Sequence, residues 1–115
     1  MLYSTNPEQE FYTTEGCYII EIINQPVHAE LSIARARVPA GVTTRWHTVD
    51  VREVYYLLSG QGHAEVGEEA WDVGPGDAVT IPPGLRQRIT NTGSDDLVFL
   101  CVCTPRFRPE GYQEV

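Results

Sequence analysis

A chain of 115 residues has room for one hydrophobic core, and its formal charge of −8 repels phosphate backbones and anionic lipid surfaces. With 42% hydrophobic and 21% charged residues the balance is that of an ordinary folded domain, so residues 1–115 are read as a single unit with no linker. The eight basic residues are all arginine and are scattered, which leaves no basic stripe for a nucleic acid.

Met1 to Glu10 carries carboxylates where a secretion signal needs positive charge and an apolar run. No stretch approaches the length of a membrane span, so a cytoplasmic protein is expected, with neither nucleic acid nor membrane as partner. From there the chain reads as short strands: Cys17–Ile23, Leu31–Val38, Thr43–His47, Glu53–Leu58, His63–Val66, Ala78–Ile81, Gln87–Thr90 and Leu97–Cys103. The separators are turn formers such as Pro39-Ala40-Gly41, Ser59-Gly60-Gln61-Gly62, Gly74-Pro75-Gly76-Asp77 and Pro82-Pro83-Gly84.

Eight short strands and no helical stripe predict an all-β fold, closed as a jelly roll or barrel because closure removes exposed sheet edges. Alternation puts Glu53, Tyr55 and Leu57 on one face of their strand and Val54, Tyr56 and Leu58 on the other. Both faces are largely apolar. Together with the isoleucines of Cys17–Ile23 they predict a homodimer, since one small barrel leaves little such surface wet. Three cysteines are an odd number, and Cys101 and Cys103, two apart on one strand face, are read as buried free thiols.

Between Gly41 and Asn91 the residues fall into two spaced motifs. In 41–60, Gly41, His47, Glu53 and Gly60 stand at the intervals Gly-x5-His-x-x-x3-Glu-x6-Gly; in 76–91, Gly76, Pro82, Gly84 and Asn91 follow Gly-x5-Pro-x-Gly-x6-Asn. With fifteen residues between them, Gln61 to Pro75, the pair resembles the two motifs of the cupin superfamily, which implies a double-stranded β-helix, the jelly-roll cupin barrel. The glycines and prolines carry the backbone turns and speak for the fold alone.

What the resemblance implies about chemistry rests on fewer residues. Its usual three histidines and one glutamate hold a divalent transition metal; here His47 and Glu53 stand at two of those places, Val49 and Gln87 at the others. The implied ligands are therefore His47, Glu53 and the amide oxygen of Gln87, for Fe, Mn, Ni or Zn, with no organic cofactor. Glu53 is also the candidate catalytic residue, as general base where metal is absent. The alternative is that His47 and Glu53 form a hydrogen-bonded pair in a pocket without metal. Arg45, which shares parity with His47, is a candidate anion clamp at the mouth, and Tyr55 and Val49 complete the candidate substrate pocket. Arg86 and Arg88 flank Gln87 and point away by alternation, as does His63 from Ala64 and Val66. The implied function is a small-molecule cupin, an isomerase, lyase or dioxygenase acting on a small oxygenated substrate. The competing reading is a metabolite-binding or sensing module with a degenerate metal site.

Overall fold

Residues 1–115 are all described by a computed structural model. Eleven strands form: β1 (Phe11–Tyr12), β2 (Tyr18–Ile23), β3 (Ser32–Val38), β4 (His47–Val49), β5 (Arg52–Ser59), β6 (Gly62–Val66), β7 (Glu69–Val73), β8 (Ala78–Ile81), β9 (Gln87–Asn91), β10 (Leu97–Thr104) and β11 (Tyr112–Glu114). They make two sheets, β1-β2-β3-β10-β5-β8 and β11-β4-β9-β6-β7, with every pairing antiparallel. This is the all-β jelly roll that the motif resemblance implies.

Seven of the eight expected strands are present to within a residue at each end, and β1, β7 and β11 join them. β7 has four of its five residues exposed and so lacks the alternation that marks a strand; it forms because the Gly67-Glu68 turn, with Gly67 at φ +59°, folds it back onto β6. The two-residue β1 and the terminal β11 carry too little pattern to be seen. Thr43–His47, expected as one strand, is instead an irregular crossing. Only Thr43 bridges, to Thr90, and pairing begins at His47. The Thr44 hydroxyl explains the break, because it takes the Ile89 amide hydrogen and so replaces a ladder bond.

The inward residues of both sheets meet in one core that includes Ala36, Leu57, Ala64, Ile81, Ile89, Leu97 and Phe99. Along β5, burial alternates as the sequence requires: Glu53, Tyr55 and Leu57 are buried, while Tyr56 and Leu58 are 43% and 42% exposed. Of the apolar residues of β2, Ile20 is wholly buried within the chain, and the turn at Pro7–Gln9 packs on that strand. Gly60 shows why the motif glycine is needed, since its φ is +89° and a Cβ there would sit 2.6 Å from the Asp96 carbonyl oxygen. No helix is long and apolar enough to cross a membrane.

Candidate functional site

Below the dry core, the same inward face of β5 turns polar. Glu53 stands opposite Cys103 of β10 and Tyr55 opposite Cys101, so directly paired residues bring two thiols, a carboxyl and a phenol to one wall. On the facing sheet His47 of β4 pairs with Gln87 of β9. His47, Glu53 and Gln87 are thus gathered at one end of the barrel, exposed by 3%, 7% and 1%.

Two cavities open there. The outer one, about 240 Å³, is lined among others by Phe11, Glu15, Ile33, Glu53, Cys101 and Tyr112. The inner one, about 30 Å³ and roomy enough for one small polar group, is lined among others by Glu15, His47, Glu53 and Tyr55. Glu15, Ile19, Glu53 and Cys101 belong to both walls, so Glu53 stands where the chambers meet. A groove of about 360 Å³ beside β7 and β8 is larger, but Trp71, Asp72, Asp77, Ala78 and Thr80 line it in exposed positions.

Hydrogen bonding fixes the roles of the groups. The Tyr55 hydroxyl, buried, donates to Gln87 Oε1 at 2.7 Å. That uses the amide oxygen and leaves Nε2, a donor, buried without an acceptor. Glu53 Oε1 is likewise buried without a donor. The Gln87 amide and the Cys101 and Cys103 thiols lie near the Glu53 carboxyl as weak donors, yet none reaches Oε1 in full hydrogen-bonding geometry. His47 Nδ1 lies 2.9 Å from the Arg45 carbonyl and 3.4 Å from Glu15 Oε2. Both neighbours are acceptors, so Nδ1 carries a hydrogen.

Burial, and secondarily the negative charge of Glu15, push the Glu53 carboxyl up to about 7; the Gln87 amide and the thiols of Cys101 and Cys103 pull only weakly the other way. Glu15 is raised too, mainly by burial, with His47 and Cys17 in partial opposition. Burial lifts the thiols of Cys17 and Cys103 to about 12 and that of Cys101 well above the ordinary value. These cysteines are therefore walls and weak donors, not nucleophiles.

The donor set does not fit a resident divalent metal. Gln87 has turned its one ligating atom to Tyr55, which leaves His47 and Glu53, and no three His, Cys, Asp or Glu side chains come together as a cation-holding group. The other expected pocket residues divide. Tyr55 lines the inner chamber. Val49 is buried but lines neither cavity, packing with Val51 and behind Cys103 and Phe107 of the outer wall. Arg45 is two-thirds exposed and pairs with Glu114 at 3.5 Å; the parity that aimed it inward fails because residues 44–46 are not strand. Arg86 and Arg88 point outward over the Trp46 ring, 4.4 and 4.3 Å from its centroid, and bind Glu68 and Glu65. His63 is outside, paired with Asp72.

Two residues of the site carry no motif signal. Glu15 reaches it from the turn between β1 and β2, held where its carbonyl accepts the Arg45 amide at 2.9 Å. Tyr112 of β11 stacks on His47, centroids 5.1 Å apart and planes 28° apart. Gly111 before it is the one available hint: a Cβ there would collide with the Asp50 carboxylate.

The cupin domain profile matches residues 34–103. An uncharacterized protein of Methanocaldococcus jannaschii is 32% identical over 103 residues, 87% of this chain and 82% of its own. A glucose-6-phosphate isomerase of Thermococcus kodakarensis is 36% identical over 58 residues, 46% of this chain but 31% of its own length, so the chain spans under a third of that relative. Among solved structures, the Streptomyces nucleoside dehydratase Pac13 superposes with a TM-score of 0.79 at 21% identity, over 100% of this chain and 92% of that one. Oxalate decarboxylase of Bacillus subtilis gives 0.85 at 20% identity, over 100% of this chain and 32% of that one.

Proposed function

The chain belongs to the cupin domain family, and on that premise we propose that its two-chambered pocket binds a small oxygenated organic molecule and moves a proton on it through Glu53, without a resident metal. One observation carries this reading: Glu53 lines both cavities, and its carboxyl has an oxygen, Oε1, buried without a partner. A buried polar atom without a partner costs free energy unless something supplies one, and a bound molecule is the natural supplier. With its carboxyl pushed to about 7, Glu53 gives and takes a proton near neutral pH. His47 brings an imidazole to the wall of the inner chamber beside it. Tyr55 and Gln87 hold each other in place behind them. This supports a lyase or isomerase that works by proton transfer, and an isomerase is what the Thermococcus relative's name describes of that protein.

The test is metal content and titration. Protein purified without chelators or an affinity-tag metal is expected to carry substoichiometric Mn, Fe, Ni and Zn and to bind none above background. The Gln87→His and Val49→His substitutions together are expected to create binding, because imidazole replaces a neutral amide and an alkyl group. A wild type holding one equivalent of metal overturns the metal-free reading. The second reading, a binding module without turnover, differs in one measurement. A bound ligand that exchanges no hydrogen with deuterated solvent in wild type as in Glu53→Gln speaks for it. We propose also that two copies pair, with Tyr56 and Leu58 of β5 as the apolar surface left outside; sedimentation showing one chain's mass at micromolar concentration overturns that.

A further inference from the structure

The outer chamber carries charge of one sign. Its ionisable acids are Glu15, Glu21 and Glu53, and no arginine, lysine or histidine is among its lining residues. The inner chamber adds His47, whose Nδ1 is already engaged by the Arg45 carbonyl and Glu15. Arg45 is committed to Glu114 outside.

An acidic wall alone is not a site. Here a second observation stands beside it: Glu53, only 7% exposed, lines both chambers and has a carboxyl oxygen without a donor. Gln87 Nε2, in turn, is a donor without an acceptor. A carboxylate or phosphate entering the outer chamber would bring a like charge and no hydrogen, and would meet no cationic side chain there. An O–H or N–H group donates to the Glu53 carboxylate. Phe11, Ile33 and Phe107 offer the outer part of such a molecule an apolar wall.

Resting on the reading of this pocket as the small-molecule site, we infer that it takes a non-anionic organic molecule, an alcohol or amine, which leads with its O–H or N–H into the inner chamber, and that it rejects carboxylates and phosphates. Sugar phosphates of the kind named for the Thermococcus relative are then excluded from this chain. The raised carboxyls of Glu15 and Glu53 agree with the geometry, since each acid already resists the other's charge.

Four probes that share one ring test this: benzyl alcohol, benzylamine, benzoate and phenyl phosphate. Each is titrated at pH 7.5 into the full chain labelled with nitrogen-15, while the backbone amides of Glu53, Cys101 and Cys103 are followed. The alcohol or the amine is expected to shift them at concentrations at least tenfold below either anion. In the double variant Glu15→Gln, Glu53→Gln that advantage is expected to shrink to under threefold. Benzoate or phenyl phosphate acting at equal or lower concentration overturns the inference, as does an advantage unchanged in the double variant. If none of the four probes moves these amides, the small-molecule reading itself falls, which is a separate failure from a wrong charge preference.

Discussion

Strand β5 runs through two kinds of interior. At Leu57 it is wholly buried among aliphatic side chains, and the adjoining turn is set by Gly60, which leaves no room for a Cβ. Four residues earlier, at Glu53, burial is nearly as deep, yet the neighbours are a second carboxyl, an imidazole, an amide and thiols around open space. One end of the barrel is closed by packing; the other is held open by polar groups that do not fully satisfy one another. The first end supplies stability and the second spends some of it, as functional sites commonly do.

Truncation at the closed end is the largest effect expected. Leu57→Ala should destabilise by about 2–5 kcal/mol, read from denaturant midpoints, because the dense core around it collapses only in part. The charge preference of the pocket should be unchanged. A loss of that preference with folding intact would mean that the two ends are not separate.

At the open end the sign reverses. Glu53 holds its proton to about 7 when folded and to about 4.5 when unfolded. Between those values the folded chain binds more protons, so stability falls as pH rises through the window, by about 3 kcal/mol in all. Wild type should be more stable at pH 5 than at pH 8. Glu53→Gln, which cannot ionise, should flatten most of that slope and gain stability at pH 8 while losing proton transfer. Equilibrium denaturation at the two pH values checks it, and an unchanged slope in Glu53→Gln rules out this carboxyl as its source.

A smaller change sharpens the electrostatics within the site. Since Glu15 is the second cause that raises Glu53, Glu15→Gln should move the Glu53 titration to lower pH without abolishing the shift, because burial remains. Carbon-13 shifts of the Glu53 carboxyl against pH report it directly. A midpoint that stays at its wild-type value would remove Glu15 from the site's electrostatics.

The same contrast explains how much was legible in the sequence. Gly60, Gly76 and Pro82 lie at fixed intervals because turn geometry is local, and local geometry leaves a periodic trace; the alternation Glu53-Tyr55-Leu57 likewise follows from the pleat. Glu15 and Tyr112 come from opposite ends of the chain and meet His47 only through tertiary structure, so no spacing announces them. Parity does not place Arg45, because alternation fails through residues whose ladder bond Thr44 replaces. The role of Gln87 turned on something sequence does not encode, the direction its amide faces once the Tyr55 hydroxyl needs an acceptor.

That last contact gives the smallest expected effect, and it bears directly on the metal question. Tyr55→Phe removes one buried hydrogen bond and leaves the Gln87 oxygen unpaired, at a cost of about 1–2 kcal/mol. The amide is then free to turn and offer its oxygen on the side of His47 and Glu53. Weak Ni(II) or Zn(II) binding absent from wild type should appear, weaker than in Gln87→His because a neutral oxygen donates less well than imidazole. Isothermal titration of the three proteins with each metal reads this ordering. If Tyr55→Phe binds no better than wild type while Gln87→His binds well, the amide's chemistry rather than its orientation keeps metal out. If wild type binds as well as Tyr55→Phe, the phenol was never the constraint.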